Sequence, residues 1–459
     1  MAGGIWNSQN KVLPGVYINT ESKGNITSNI GTKGTVALAM ALDWGASGVV
    51  QAINAGEDLT PYIGYDITAD KALFIREMLK GSDTTGAPTK ILLYRLPGAS
   101  GAKATVTIGE DESTLTATAL YDGVRGNDIS IAVTADPDEI GAYDVVTIVD
   151  GSVVDTQHVT ATTQLVANAW VEFTGTTALV TTTGAALTGG ANPTIAAADY
   201  ATFLQALEPY AFDILNYDGS DSTVIAAYVS FIKRINENIG RKCQLVLAGN
   251  ATTANSKYVI VVVNGVKLND GTALTAAQAT YWASGAEAGA LYNQSLTYAQ
   301  YPNAIEANPK LSNAQVEEYV ANGLFTFIDD YGTVKVCTDI NSKTTITPKE
   351  GEEFKKNRVM RVIMQFCNDT FKEFSKNFIG KVDNNENGRS LLRKWIIGYL
   401  NEMQANNGVQ NFTAEDVEVL QGNNVDSVVV NVGIQPVDSI EKIYMRATVS
   451  ANTITVETV

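Results

Sequence analysis

Histidine is almost missing from this chain: His158 is the single one in 459 residues. A Ser-His-Asp or Cys-His hydrolase would need that residue as its base. It lies instead in Thr156-Gln157-His158-Val159-Thr160, which alternates like a strand, with no G-x-S-x-G elbow nearby. The expectation is a solvent-facing strand histidine. Cysteine is scarce too. Cys243, Cys337 and Cys367 are far apart and form no CxxC pair, which predicts free thiols rather than a disulfide framework or a zinc site. No apolar run approaches the roughly 20 residues that span a bilayer, so no membrane insertion is expected. The first residues, Met1 to Ser8, carry neither a basic stretch nor an apolar signal core. The expectation is a protein made and kept in a cytosol. A positive surplus is also lacking: the net charge is −17, which argues against direct nucleic-acid binding. These absences leave Lys, Asp and Glu chemistry open.

What is present is an ordinary globular composition, 45% apolar and 18% charged, enough for several packed domains. The charge is uneven. From Phe354 to Lys394 ten Lys/Arg stand against four Asp/Glu, a local +6 that leaves −23 for the rest. A basic helical segment on an acidic body suits a soluble assembly with an acidic partner surface.

Motifs that suggest ligand chemistry have plainer readings. The run Gly24–Gly34 lacks the G-x-x-x-x-G-K-[ST] of a phosphate loop, since Lys33 follows Thr32. Asp383-Asn384-Asn385-Glu386-Asn387-Gly388 opens like a calcium loop, but the twelfth position is Lys394 instead of a bidentate Glu. A tight turn that caps the next helix is expected there. Asp218–Ser222 reads as a helix cap and Asp329-Asp330 as a turn between strands. No catalytic residue, no metal and no cofactor is expected.

Strand and helix signals alternate over Thr35–Met40, Asp70–Lys80, Ile91–Tyr94, Ala197–Leu207, Phe212–Tyr217, Ser222–Asn238 and Gln244–Ala248. That order predicts an α/β layer structure with a partly parallel sheet. Between Gly98 and Asn192 the texture becomes Thr/Val/Ala/Gly-rich with period two and no helix, with Asp150-Gly151 as a turn. It reads as an all-β domain inserted into a loop of the body, decorating an outer surface. Val259–Val263 and Val266–Leu268 around Asn264-Gly265 read as a hairpin, followed by a small-residue helix from Thr275 to about Ala290. After Glu352 long helices appear, one with a broad apolar stripe and one from about Arg389 to Gln404. Strands Val425–Val432 and Ile440–Val449 and an alternating tail, Thr453–Val459, close the chain.

The fold class expected is α/β and α+β multidomain. Its parts are an N-terminal extended arm (1–25), an α/β body (26–97 with 193–345), an inserted all-β domain (98–192), an α+β C-terminal domain (346–442) and a C-terminal strand arm (443–459). Both ends pose one question. Gly15, Val16, Tyr17 and Ile18 near the start, and Ile454 and Val456 at the end, are strand-like with nothing beside them to pair with. Unpaired strand backbone invites addition to a neighbouring subunit.

Short motifs in fixed order now resemble the phage tail sheath proteins, especially those of contractile prophage tails and phage-tail-like bacteriocins. They are Pro14-Gly15-Val16-Tyr17, Gly123-Val124-Arg125-Gly126-Asn127, Asn264-Gly265 with Asp270-Gly271, and Ala288-Gly289 with Asn293-Gln294-Ser295. Later come Arg358-Val359, then Phe378-Ile379-Gly380-Lys381-Val382-Asp383-Asn384 with Arg389, and Pro436 to Tyr444. The resemblance implies a homo-oligomer of six-fold rings stacked helically around a tail tube protein, with baseplate and tail-terminator proteins as further partners. It places the protein in a virion tail assembled in the bacterial host cytoplasm. It also implies that terminal arms add strands to neighbours, and that contraction drives the tube through the target envelope without nucleotide hydrolysis. Arg389, Arg393 and Lys394 are the expected tube-facing residues. Alternatives are a sheath component of a type VI-like secretion apparatus, an α/β enzyme, or a β-rich adhesin.

Overall fold

The computed structural model describes residues 2–4, 15–17, 30–31, 33–110, 114–176, 178–249 and 254–449. The chain divides into two compact units, residues 31–372 with 436–459, and residues 1–30 with 373–435.

The larger unit is organised by a six-stranded sheet. Its order is Val259–Val262, Gln244–Ala248, Ile214–Tyr217, Thr35–Met40, Lys90–Arg95, Val50–Asn54. All neighbours are parallel except the edge pair Val50–Asn54 with Lys90–Arg95. Parallel strands covered on both faces read as continuous apolar runs, and alternate residues divide between two cores. Val36, Leu38, Ile91, Leu93, Val246 and Ile260 pack against Phe74, Met78, Trp282 and Ala286. Ala37, Leu92, Leu215, Leu245 and Val261 pack on the other face against Phe203, Tyr228, Phe231 and Met360. The helix Ala276–Gly289 comes very close to a neighbouring backbone. A Cβ at Gly285 would stand 1.9 Å from the Met78 carbonyl oxygen, and one at Gly289 2.1 Å from that of Gly86. The small residues seen in the sequence serve that approach.

The expected Val259–Leu268 hairpin does not form. Val259–Val262 ends the parallel sheet, while Gly265–Leu268 crosses into a second sheet with Ala273–Leu274 and Ala304–Asn308. Buried Asn264 makes the crossing. Its Oδ1 accepts from the Phe327 amide at 2.9 Å and its Nδ2 donates to the Phe327 carbonyl at 2.9 Å, so a side chain replaces a ladder partner.

The insertion is a β-sandwich. Four strands, ordered Ser152–Val159, Tyr143–Val149, Ile129–Ala135, Thr182–Ala186, face three, ordered Val171–Gly175, Leu115–Asp122, Lys103–Ile108. Asp150 and Gly151 take positive φ (52° and 76°) in the expected two-residue turn.

The helix Asn357–Asn377 begins in the larger unit, and its last residues are counted with the smaller one. In the smaller unit the helix Glu386–Ala405 packs on a two-stranded antiparallel ribbon, Val417–Gln421 with Val428–Val432, through Val417 and Trp395 among others. The first of these ribbon strands was not anticipated. Asn385 caps the helix by accepting from the Gly388 amide at 2.9 Å, as the turn reading expected.

Candidate functional site

Residues 436–449 hold the feature that most needs explaining. The sequence predicts a strand over Ile440–Val449, yet no ladder forms there. The segment is pinned at one point: Glu441 pairs with Lys356 and accepts from Thr297 Oγ1 at 2.8 Å. Beyond the pin, Ile443, Tyr444, Met445 and Val449 are 82%, 91%, 87% and 92% exposed. Strand-forming side chains here have neither a core nor a pairing partner among the described residues. The described residues thus leave an arm pinned at its root with an apolar, unpaired distal part.

A buried charge cluster that the sequence reading missed lies one link behind this pin: the Asp339 amide donates to Thr297 Oγ1 at 2.9 Å, and that hydroxyl donates to Glu441. Arg361, fully buried in the long helix, pairs through Nη1 with Glu287 and through Nη2 with Asp339, and donates to the Gln294 carbonyl at 2.7 Å. Asn357 Nδ2 bridges both acids, at 2.8 Å to Asp339 and 3.2 Å to Glu287. Burial first, then the negative charge of Asp339, pushes Glu287 well above the usual carboxylate range. Burial opposes the ionised form of Asp339 as well, but Arg361 and the hydrogen bonds it accepts hold it below its ordinary value. One proton on Glu287 leaves Arg361 and Asp339 as a balanced pair, which is how a dry interior tolerates three such groups. The available signal was Glu287 itself, the lone charged residue in the otherwise neutral stretch Thr275–Ala290.

A second buried arginine ties the insertion to the body. Arg125 forks onto Asp150 at 2.8 and 2.6 Å, donates to the Gly64 carbonyl at 3.0 Å, and stacks 4.2 Å over Tyr65. Gly123, at φ 125°, passes so close to Asp43 that a Cβ would stand 2.0 Å from its carbonyl oxygen. Gly123-Val124-Arg125-Gly126-Asn127 is therefore a junction rather than a ligand loop.

The sequence-predicted residues fare differently. Gly15–Tyr17 is a strand, paired in parallel with Ala2–Gly4 of the same chain; Ile18, Ile454 and Val456 lie outside the described residues. Arg389 donates to the Asn384 side chain at 3.0 Å, and Asn384 in turn holds the ribbon turn through the Val425 and Ser427 carbonyls at 2.8 and 2.9 Å. Arg393 donates to the carbonyls of Val417 (2.8 Å) and Ala414. Of the three, Lys394 alone is exposed. Much of the basic surplus is thus spent inside the chain, on Glu287, Asp339, Glu441 and backbone carbonyls. His158 is half exposed on the outer sheet, as expected, but lies against three carboxylates.

Comparison with known proteins covers nearly the whole chain. Residues 98–192 match the phage tail sheath protein beta-sandwich domain, 194–342 the central domain, 349–450 the C-terminal domain, and 33–96 the domain III N-terminal region of the tail sheath protein Gp18. Phage-like element PBSX protein XkdK of Bacillus subtilis is 32% identical over 98% of this chain and 100% of its own length. A solved sheath tail protein from Desulfitobacterium hafniense is 39% identical with a TM-score of 0.84, covering 94% of this chain and 99% of that one. Its counterpart from Listeria innocua is 34% identical with a TM-score of 0.75, covering 91% and 95%.

Proposed function

On the premise that this chain belongs to the phage tail sheath protein family, we propose that its terminal segments are the links that polymerise it into a contractile sheath. The protein is a structural subunit of a phage or phage-like tail particle, not an enzyme. Its segment beyond Glu441, continuing to Val459, adds as a strand to the Val417–Gln421/Val428–Val432 ribbon of a neighbouring copy, and Gly15–Ile18 enters the same sheet. Two observations support this. Among the described residues the ribbon has two strands and so two open edges, and the arm carries four large exposed apolar side chains with no ladder. The second observation carries the reading.

Subunits linked in this way stack as six-fold rings around a tail tube, between baseplate and terminator, and shorten by sliding rigid domains on flexible arms. The domain limits given from the sequence (1–25, 26–97 with 193–345, 98–192, 346–442 and 443–459) belong to this proposal. So does the tube-facing role of the Arg389/Arg393/Lys394 helix. There Lys394, exposed like Lys376 and Lys381 of the same unit, is the residue proposed to meet an acidic tube. Negative-stain microscopy of concentrated full-length protein is expected to show striated tubes. Deleting 443–459 should leave a folded monomer that forms none; normal tubes from the truncated chain would overturn the strand-addition reading.

A further inference from the structure

We propose that Asp136, Asp144 and His158 form a binding site for a borderline divalent transition ion of the zinc class on the inserted β-sandwich, with Glu139 orienting the imidazole. No spaced motif announces the site, because two ligands come from neighbouring strands and the third from the loop that follows the next strand. His158 and Asp144 are directly opposite in the antiparallel register. Asp136 follows the next strand over, Ile129–Ala135.

The donor atoms converge. His158 Nδ1 stands 2.8 Å from Asp144 Oδ1 and 3.6 Å from Asp136 Oδ2, and one ligand atom from each residue lies within 4.8 Å of the others. Bonds of about 2.0–2.1 Å in a tetrahedral zinc site put donors roughly 3.3 Å apart. The two separations from the imidazole, 2.8 and 3.6 Å, bracket that value.

The site is also held in place. Asp136 Oδ1 accepts the amides of Asp138 (2.7 Å) and Glu139 (3.0 Å), which fixes the carboxylate and leaves Oδ2 facing the histidine. The loop is closed by the Asp136 amide on the Ala142 carbonyl at 2.9 Å. On the far side of the ring, Glu139 Oε2 is 3.5 Å from Nε2. A carboxylate accepting the second ring N–H is the usual outer partner of a metal-bound histidine, and it selects the tautomer with Nδ1 free to ligate.

One imidazole nitrogen with two carboxylate oxygens suits zinc, nickel or copper better than magnesium or calcium, which prefer all-oxygen shells. Three protein donors leave a fourth position for water. Bound there, an ion would tie the 136–142 loop, with its fully exposed Ile140, to the strands carrying Asp144 and His158.

The full chain, stripped with chelator, is titrated with Zn²⁺ by calorimetry and with Co²⁺ by visible absorption. One ion per chain is expected, with a nitrogen/oxygen cobalt spectrum and no thiolate band. Because His158 is the sole histidine, H158A should weaken binding at least tenfold. D136N, which leaves the strands untouched, should weaken it too and serves if H158A fails to fold. No saturable uptake, or an unchanged titration in H158A or D136N, would show the cluster to be an ion-paired histidine only.

Discussion

The inner sheet and the last described segment are written in the same residues, and they end in opposite states. Val259, Ile260, Val261 and Val262 are fully buried and laddered to Gln244–Ala248. Ile443, Tyr444, Met445 and Val449 share the β-branched, aromatic and apolar character but stand in solvent without a ladder. The difference lies in what the chain supplies as neighbours. For the sheet it provides strands and two layers of helices; for the arm, among the described residues, the main anchor is Glu441. Fully burying a large apolar side chain is worth roughly 1.5–3 kcal/mol, so four of them give about 6–12 kcal/mol. Bringing two copies together costs about 4–15 kcal/mol. In the proposed strand addition, apolar burial alone therefore only balances docking, and ladder hydrogen bonds with repetition along a polymer would tip it. A link of that strength can hold a lattice together while its rigid bodies move.

The hardest way to break the contrast is to remove the cluster behind the arm's root. Arg361→Ala leaves Asp339 buried without its cation and should cost about 3–5 kcal/mol of folding stability, read as a lowered urea midpoint. A loss below about 1 kcal/mol would mean that the cluster does not back the anchor. Next in size is a change in the arm itself. Tyr444→Ser should leave monomer stability within about 0.5 kcal/mol, since the side chain is already exposed. It should raise the protein concentration needed for polymer by roughly tenfold to a hundredfold, the equivalent of 1.5–3 kcal/mol. Sedimentation against concentration measures it. A destabilised monomer with unaltered polymerisation would reverse the roles assigned to sheet and arm.

The sequence disclosed the closed parts of the molecule better than the open ones. Thr35–Met40 and Ile91–Tyr94 were readable because a strand covered on both faces has no polar alternation to confuse it. The insertion was readable because its strands bury one face only, and Asp150-Gly151 because a tight hairpin needs positive φ. Asn264-Gly265 misled for a physical reason: the pattern that favours a hairpin turn also suits a crossing point, and only the distant Phe327 decides between them. Arg361, Glu287 and Asp339 could not be paired from sequence, being 74 and 22 residues apart. In the Arg389/Arg393/Lys394 group, charge was visible but its use was not, because backbone carbonyls that accept from arginine leave no trace in residue identity. The arm was visible as a strand, and the lack of a partner that the sequence suggested holds for Ile440–Val449 among the described residues.

The subtlest probe of that cluster is Glu287→Gln, which keeps the shape of a protonated carboxyl and removes its titration. The amide oxygen can accept from Arg361, while its NH2 replaces the oxygen that accepts from Asn357, so near the ordinary glutamate pKa stability should stay within about 3 kcal/mol of the parent. The pH dependence should not. Glu287 is raised in the folded chain, so its contribution is complete below the ordinary glutamate value and is lost as pH climbs through the raised one. The slope is at most about 1.4 kcal/mol per pH unit. Asp339 is lowered, so its contribution is present above the ordinary aspartate value and disappears on acidification in parent and variant alike. The two proteins should therefore share an acid limb and diverge on the alkaline side, with the variant relatively more stable as pH rises. Urea midpoints measured from acid to alkaline pH test this. Parallel curves throughout would mean that Glu287 is ionised in the fold, its charge balanced by Arg361 together with nearby Lys33.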